Sequence, residues 1–302
     1  MHPLIPCTER VIFPLGKLPV VPDWLNIHGF GVMVAIGLWL GGNMAMRKAQ
    51  RDGLDPKIIS EIIGWIVVGI FIGGHLGHLL FYEPKEFLRD PMIIFKVWDG
   101  LSSFGGFIAC TLIVIWIIKS KNDAIRRENV KRKDAGMPLQ PLLPFLGYGD
   151  SLIYGLTLGF CLGRFGCFLA HDHPGIATDF WLGVYGICPP QHTPLCQSVG
   201  MACHDLGLYE CIWAGIMTLI FVALDKTPRR PGWFMGVYVL VYGPTRFLLD
   251  FLRARGVEGA DVRYFGLTPA QYGALALVAL GIWLIAQSKD KVPYRIANQT
   301  AA

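Results

Sequence analysis

One stretch, PFLGYGDSLIYGLTLGFCLGRFGCFL at residues 144–169, indicates how the chain folds. It is long enough to cross a hydrocarbon core, which needs about 20 predominantly apolar residues. Its glycines recur every four residues from 155 to 163, a spacing that favours close contact between membrane helices. Two charged residues interrupt the stretch, Asp150 and Arg164. Because ionisable groups inside a span are costly, each is a candidate functional residue.

Similar apolar stretches occur along the rest of the chain. Only 16% of the 302 residues are charged and 53% are apolar, with mean hydropathy +0.45. A soluble domain carries about 25% charged residues, so this composition argues against a soluble enzyme. We expect an all-α polytopic membrane protein, one transmembrane domain over residues 1–302, with seven spans: 24–45, 58–82, 102–118, 144–169, 207–224, 233–251 and 268–286. The third is short, and residues 92–101 before it form a candidate re-entrant or interfacial piece.

The distribution of Lys and Arg sets the predicted orientation. The loops on one side and the C-terminal tail carry 17 of these residues, against 8 on the other side. Basic residues concentrate on the cytoplasmic side of membrane proteins. The pattern predicts a periplasmic N-terminus, a cytoplasmic C-terminus, a basic cytoplasmic loop at 119–141 and a periplasmic loop at 171–206. The basic residues fall between apolar runs and not over one folded face, so no nucleic-acid partner is expected.

Cysteines fall in the predicted periplasmic loop, where disulfides form. Of Cys188, Cys196 and Cys203, the first two are predicted to pair because prolines between them shape a short loop. Cys7 lacks the apolar segment that precedes a lipidated cysteine, so it is interpreted as incidental. A zinc site is the less favoured alternative, because its ligands are poorly spaced for a closed site: His192, Cys196, Cys203 or His204.

Apart from Asp150 and Glu61, the charged residues inside the spans lie in the periplasmic half of the membrane. Arg164 and Arg246 lie about five residues from the outer ends of their spans, and the nearby acids are too few to neutralise both. A guanidinium binds phosphate well, so an anionic lipid headgroup is the expected ligand. The alternative is that Arg246 pairs with Asp250 only to hold helices together. A lipid-modifying enzyme, a lipid-binding scaffold and a transporter all fit this pattern.

Other polar and small residues in the spans have structural interpretations. His75 and His78 are spaced for a metal, but a satisfied pair near the interface is favoured because no third ligand is evident. Gly69, Gly73 and Gly77 repeat the four-residue spacing and predict a second close helix contact.

Several motifs in register resemble the prolipoprotein diacylglyceryl transferase family. Residues 163–168, GRFGCF, followed by Gly175, are similar to the family's GRxGNF…G signature. Asp150 resembles its intramembrane acid. Two matches lie in the last spans: His204…Tyr209-Glu210 resembles the family's HPxQLYE motif, and Tyr242-Gly243…Arg246…Asp250 resembles YGxxR…E. Two more lie earlier in the chain: residues 98–106 (WDGLSSFGG) resemble WxGGMSFHGG, and residues 27–37 resemble the first-helix motif.

This resemblance implies a function and a set of site residues. The family transfers diacylglycerol from phosphatidylglycerol to the lipobox cysteine of prolipoprotein signal peptides, in the bacterial inner membrane and without a metal or other cofactor. By resemblance, Arg164 and Arg246 hold the phosphate, and His204 and Glu210 are candidate catalytic groups. The implied substrate-binding residues are Arg164, Arg246, Gly175, Tyr242, Ser102, Ser103 and Asp150.

Three positions depart from the family pattern, each toward a less polar residue. Phe104 replaces a histidine, Cys167 an asparagine and Phe30 a tyrosine. An active enzyme then needs another base to take the thiol proton, and the candidates at the outer mouth are Glu210, His204, His171 and His173. The segment HDHPG at 171–175 is alternatively a polar loop that ends a helix. A non-catalytic relative that binds lipid or precursors, and a small-molecule transporter, are the other hypotheses.

Overall fold

The computed structural model describes residues 5–7, 12–14, 26–81, 83–96, 100, 102–188, 198–255 and 263–295. Its α-helices are α1 (Gly29–Arg51), α2 (Pro56–Phe81), α3 (Pro84–Arg89), α4 (Ser103–Asp134), α5 (Phe145–Ala170), α6 (Leu206–Leu224), α7 (Trp233–Leu249) and α8 (Pro269–Ser288). Its strands are β1 (Ile12–Pro14), β2 (Asn26–His28), β3 (Pro174–Ala177), β4 (Val184–Gly186) and β5 (Ser198–Asp205). Short 3-10 helices form at Pro91–Phe95, which overlaps the candidate re-entrant region, and at Asp250–Leu252.

Six of the described helices are long and apolar enough to cross a membrane: α1, α2, α5, α6, α7 and α8. They confirm a helical, multi-pass membrane protein. The third predicted span, 102–118, forms the first half of α4, which is not among these six. This helix continues for 32 residues to Asp134, so residues 119–134 of the predicted basic loop are helical. The basic residues of its last turn favour this ending, because they face the negative end of the helix dipole.

The chain divides into two compact units, one formed by residues 1–48 and 150–302 and the other by residues 49–149. The first unit contains most of α1, nearly all of α5, helices α6 to α8, and both small sheets. The second contains α2, α3 and α4. The candidate residues on α5, α6 and α7 therefore belong to the first unit, whereas Ser102 and Ser103 belong to the second.

In the second unit, α2 and α4 pack through small residues. A Cβ atom built at Gly77 would lie 2.5 Å from the Cα of Gly105, and Gly69 and Gly73 face side chains of α4 equally closely. The predicted contact of these three α2 glycines is confirmed. His75 is buried, and its Nε2 lies 3.1 Å from the carbonyl oxygen of Ile93. This satisfied hydrogen bond supports the structural interpretation of the histidine.

In the first unit, α1 and α5 approach each other along glycines. A Cβ built at Gly37 would lie 2.8 Å from the carbonyl oxygen of Gly159, and one at Gly41 would lie 2.7 Å from that of Gly155. These contacts confirm the prediction for Gly155 and Gly159. The prediction is wrong for Gly163, where an added Cβ would meet no described atom within 4 Å. That residue lies on an open side of α5, directly before Arg164.

An aromatic core joins α5, α6 and α7. Its buried members are Tyr154, Met217, Phe221, Phe234 and Tyr238. The rings of Tyr154 and Phe234 meet edge to face at 5.5 Å, and those of Phe221 and Phe234 at 5.0 Å, arrangements that stabilise aromatic pairs. This core fixes the three helices that carry the charged candidate residues.

The predicted loop 171–206 contains a three-stranded antiparallel sheet in the order β3-β5-β4. In the β4–β5 pairing Val184 lies opposite Cys203. Cys188 forms a disulfide with Cys203, and their Cα atoms are 5.4 Å apart. The predicted Cys188–Cys196 disulfide is therefore wrong. Strand pairing across the loop, and not closeness along the sequence, decides which thiols meet.

The structure also contradicts two further predictions about the cysteines. Cys7 is disulfide-bonded, and Ile5 pairs with Val184 of β4, so the interpretation of Cys7 as incidental is wrong. Cys203 is oxidised and cannot be the thiolate ligand of the alternative zinc site. Cys196 and His192 lie outside the described residues.

Candidate active site

Arg164 lies in the last two turns of α5 and is buried, with 7% of its surface exposed. Its Nε lies 2.5 Å from Oε2 of Glu210. The guanidinium also sits 5.0 Å from the ring centre of Phe160, one turn earlier. A carboxylate and a ring thus fix the direction of this buried positive charge.

Arg246 contacts the same carboxylate from α7. Its Nη1 lies 3.0 Å from Oε1 of Glu210, and its Nη2 lies 3.0 Å from Oδ1 of Asp250. The two oxygens of Glu210 therefore contact two different arginines. We refer to Arg164, Glu210, Arg246 and Asp250 as the arginine cluster.

The local sequence explains how α6 and α7 position the residues of this cluster. Tyr242, Arg246 and Asp250 are four residues apart, so they lie on one helical face, as predicted. Glu210 lies in the second turn of α6, which begins where the Asp205 carboxylate accepts a hydrogen bond from the Leu208 amide at 3.0 Å. Such an N-cap stabilises the helix start that presents Glu210.

The charges of the cluster balance, which corrects the expectation that acids are too few. Two arginines face two carboxylates, and Glu210 and Asp250 are 1% and 0% exposed. Asp250 also accepts a hydrogen bond from the hydroxyl of Thr268, so the proposed structural Arg246–Asp250 ion pair is present. Each oxygen of Glu210 faces one guanidinium group, so both oxygens are engaged in ion pairs.

His204 lies on β5 beside the cluster-bearing helix α6. Its Nδ1 is 2.6 Å from the hydroxyl of Tyr209, and the ring of Phe180 packs against both residues. Burial lowers the pKa of His204, so its imidazole is neutral near pH 7. A neutral imidazole is able to accept a proton, and the structure pairs this one with a phenol.

Gly175 sits where β3 approaches two neighbours. A Cβ there would lie 3.1 Å from the carbonyl oxygen of His204 and would overlap that of Leu252. Gly175 also bridges to Arg253, just after the 3-10 helix that contains Asp250. Glycine at this position therefore allows the three-stranded sheet to pack closely beside the arginine cluster.

A second polar group lies at the end of α5. Cys167, Asp172 and His173 each offer one ligand atom, and these atoms lie within 4.8 Å of one another. The Cys167 Sγ is 3.9 Å from Nη1 of Arg164, so this group adjoins the arginine cluster. Burial and the nearby Arg164 charge lower the pKa of His173. The sequence contained these residues in GRFGCF and HDHPG, but nothing in their spacing showed that the chain folds back between them.

The structure does not bring every predicted residue together. Asp150 lies fourteen residues before Arg164 on the same helix, about 21 Å away along the axis. Its oxygens accept hydrogen bonds from the amides of Gly232 and Met235, at 2.7 and 2.9 Å, where α7 begins. In the other unit, the Ser102 hydroxyl caps α4 by accepting a hydrogen bond from the Gly105 amide. The side chain of Ser103 lies outside the described residues.

Comparison with known proteins decides the family. The family model described as "Prolipoprotein diacylglyceryl transferase" matches residues 19–287. The chain belongs to this prolipoprotein diacylglyceryl transferase family. Three relatives are each named phosphatidylglycerol–prolipoprotein diacylglyceryl transferase. They come from Chromohalobacter salexigens (30% identity, covering 90% of this chain and 94% of the relative), Pseudomonas entomophila (29%, 89% and 92%) and Nitratidesulfovibrio vulgaris (26%, 88% and 92%).

Membership gives the departures from the family pattern a structural setting. Cys167, at the position of the family's asparagine, is the residue that touches Arg164 through sulfur. Phe30 lies in the first turn of α1 and is 41% exposed. The side chain of Phe104 lies outside the described residues. Of these three departures, the cysteine is the one that the structure places against an arginine of the cluster.

Proposed function

We propose that the chain transfers the diacylglyceryl group of phosphatidylglycerol to the lipobox cysteine of prolipoproteins. The observation that carries this proposal is the arginine cluster, in which one carboxylate holds the buried guanidinium of Arg164 and the half-buried guanidinium of Arg246. The family membership and the names of the relatives support the same activity. In this proposal the chain crosses the bacterial inner membrane seven times, with the first half of α4 as the seventh span and the N-terminus in the periplasm. Loop 171–206 is then periplasmic and segment 119–141 cytoplasmic.

Phosphate binding is the first role of the cluster. Without ligand, the two positive and two negative charges of the cluster cancel. A phosphodiester, which carries one negative charge, therefore meets two fixed guanidinium groups and no excess of negative charge. Guanidinium groups bind phosphate oxygens through paired N–H donors, and such charge-assisted bonds are strong where water is excluded. Arg164 and Arg246 are therefore assigned to the lipid phosphate. Tyr242, one turn before Arg246 on α7, is assigned to the same substrate site.

Carbon–sulfur bond formation is the second step. The sulfur of the lipobox cysteine attacks the glyceryl carbon that carries the phosphate ester, and the carbon–oxygen bond breaks. The electron pair leaves with the phosphate oxygen, so glycerol phosphate is released and a thioether remains. Negative charge gathers on the departing phosphate, where the two arginines stabilise it. The thiol proton must leave before or during the attack, because the thiolate is the nucleophile.

Other predicted residues take supporting roles in this proposal. Gly175 and His204 shape the three-stranded sheet beside the cluster, and His204 is positioned as a neutral group at the periplasmic mouth. Ser102 and Ser103 are assigned to lipid contact on the resemblance alone. Asp150 is assigned to holding the start of α7, because its carboxylate binds two amides there.

Complementation tests the proposed function. A bacterial strain depleted of its own transferase should grow when it expresses this chain and should accumulate mature lipoprotein. Arg164→Ala and Arg246→Ala should fail to complement, whereas Arg127→Ala, an exposed arginine of α4, should complement fully. If the wild type binds phosphatidylglycerol but yields no lipidated precursor, the scaffold hypothesis replaces this one. If it instead moves a small solute across vesicles, the transporter hypothesis does.

A further inference from the structure

A tight turn between α7 and α8 holds an aromatic side chain away from the protein. The amides of Tyr264 and Leu267 each donate a hydrogen bond to the carbonyl oxygen of the other residue, at 2.8 and 3.0 Å. Phe265 and Gly266 form the tip between them, and Phe265 is fully exposed. We refer to residues 264–267 as the Phe265 hairpin.

The backbone of this hairpin is strained at its tip. The φ angle is 49° at Phe265 and 82° at Gly266, and a type I′ turn requires positive φ at both of these positions. Such turns favour Asn-Gly or Asp-Gly, and a bulky residue at positive φ is a genuine outlier. Single exposed apolar residues are common on protein surfaces, but strained ones concentrate at functional sites. The tip is therefore a candidate functional feature.

Neighbouring side chains hold the hairpin in this conformation. Arg263 donates hydrogen bonds from Nη1 to the carbonyl oxygen of Gly266 and from Nη2 to that of Asp250, both at 3.3 Å. The hydroxyl of Tyr272 donates to the carbonyl oxygen of Tyr264 at 2.9 Å. Because Asp250 belongs to the arginine cluster, Arg263 connects the hairpin directly to the proposed phosphate site.

The hairpin lies between two helices that are long and apolar enough to span a membrane. Their apolar segments are Trp233–Leu252 and Pro269–Ser288, so the hairpin ends two residues before the second segment begins. The adjacent tyrosines, Tyr264 and Tyr272, are 57% and 41% exposed. Exposed tyrosines beside the end of a span are typical of the interface between membrane and water. This position favours a lipid surface as the partner of the hairpin.

The shape of the tip also favours lipid over a peptide. Peptide recognition uses a groove or a free strand edge, whereas Phe265 stands at a convex tip whose flanking backbone groups bond to each other. A single projecting ring enters the boundary between headgroups and acyl chains without a shaped partner, and its transfer from water is favourable. Insertion of the ring therefore offsets the strain of the turn when a membrane is present.

We propose that Phe265 inserts into the outer leaflet of the membrane, and that Arg263 couples this anchor to Asp250. The hairpin then fixes the arginine cluster at the level of the lipid phosphates, so that a phospholipid of the same leaflet reaches the arginines without leaving the membrane. The choice of leaflet and the role of the phosphate rest on the proposed function, whereas insertion requires only a membrane.

Photocrosslinking tests insertion without reference to activity. The full chain carries p-benzoylphenylalanine at position 265 or, as the control, at position 130, and is reconstituted in vesicles that contain radiolabelled phosphatidylglycerol. Val130 is 63% exposed on α4. It follows the end of the predicted third span by about 18 Å along the helix axis. Irradiation should attach labelled lipid at position 265 and not at position 130.

A parallel sample contains unlabelled lipid and a radiolabelled lipobox peptide. Attachment of the peptide and not of lipid at position 265 would identify the precursor as the partner and overturn the proposal. Attachment of neither would show that the ring lies in water, which overturns it equally.

Turnover tests the coupling to the arginine cluster. Asparagine suits a left-handed turn, so Phe265→Asn should melt in detergent no lower than the wild type. Its transfer rate in vesicles should nevertheless fall by about tenfold or more, as expected for the loss of one inserted aromatic side chain. Phe265→Trp should keep the wild-type rate. With short-chain phosphatidylglycerol in detergent micelles, which present no leaflet, Phe265→Asn and the wild type should be equally fast.

The two media separate the possible failures. An unchanged rate of Phe265→Asn in vesicles, or an equal loss in vesicles and micelles, overturns the anchoring role and leaves the proposed function standing. A wild type that attaches lipid at position 265 but transfers nothing in either medium contradicts the proposed function and supports insertion alone.

Discussion

The guanidinium of Arg164 lies 2.5 Å from the carboxylate of Glu210, and both residues are buried. The other oxygen of the same carboxylate contacts Arg246 at 3.0 Å. Removing one partner of a buried ion pair is strongly destabilising, by about 3–5 kcal/mol, because the remaining charge stays unpaired. The cluster therefore stabilises the fold at the place where it is proposed to bind phosphate, and its two roles must be separated by experiment.

Paired removal of charge separates stability from catalysis. Arg164→Ala should lower the melting temperature and reduce kcat about 10²–10³-fold, the cost of losing one donor to a developing anion. Arg164→Met with Glu210→Met should regain melting temperature, because no lone charge remains, but should stay inactive. Melting in detergent and peptide lipidation measure the two effects. A double variant that is both stable and active would mean that Arg164 has no phosphate role.

The disulfide between β4 and β5 should contribute strongly to stability. Cys188 and Cys203 are 15 residues apart, a loop whose closure stabilises a fold by about 3 kcal/mol in the chain-entropy treatment. Cys203→Ser should lower the melting temperature and reduce its sensitivity to reductant, whereas Cys110→Ser should change neither. Mass spectrometry of the unreduced chain checks the pairing. A peptide that links Cys188 to Cys196 would contradict it.

The variant Asp150→Ala tests whether this carboxylate has a structural role or a substrate-binding role. Because its carboxylate accepts hydrogen bonds from Gly232 and Met235 at the start of α7, Asp150→Ala should cost about 0.5–2 kcal/mol, as lost helix caps do. The KM for phosphatidylglycerol should not change. Denaturant unfolding and lipid titration give the two values. A higher KM with unchanged stability would place Asp150 in the substrate site.

Phe104 stands where the family pattern has a histidine. Because the wild type is expected to be active, another group takes the thiol proton, and Phe104→His should change the rate of transfer little. His204→Ala should lower that rate by up to about 10²–10⁴-fold, the contribution of a positioned base, with the protein still folded. Peptide lipidation and melting in detergent measure the rate and the folding. A large gain in Phe104→His would show that the native chain lacks a working base.

The membrane character of the chain was predictable from sequence. A backbone in lipid must satisfy its own hydrogen bonds. Long apolar runs such as 144–169 therefore form helices whatever their neighbours are. The glycine spacing at Gly155 and Gly159 was equally informative, because only small residues permit two backbones to approach. The open side at Gly163 was not predictable from the four-residue spacing, because the contact of α5 with α1 passes from Gly159 to Leu162 and Gly166.

Parts of the site depended on contacts between distant segments. Glu210 and Asp250 were visible as acids, but their balance against Arg164 and Arg246 follows from how α5, α6 and α7 pack. The three-stranded sheet was missed because its strands have three to eight residues and pair across a loop. The left-handed turn at His171 gives no sequence signal, so the approach of His173 to Cys167 was hidden.

The arginine cluster is tested most directly by one measurement: transfer of radiolabelled diacylglycerol from phosphatidylglycerol to a lipobox peptide in proteoliposomes that contain the purified full chain. The wild type and Arg127→Ala should form the labelled thioether at the same rate. Arg164→Ala and Arg246→Ala should form it at least about 100-fold more slowly, as expected for the loss of one charge-stabilising donor. Full turnover by both cluster variants would contradict the assignment of the phosphate to these arginines.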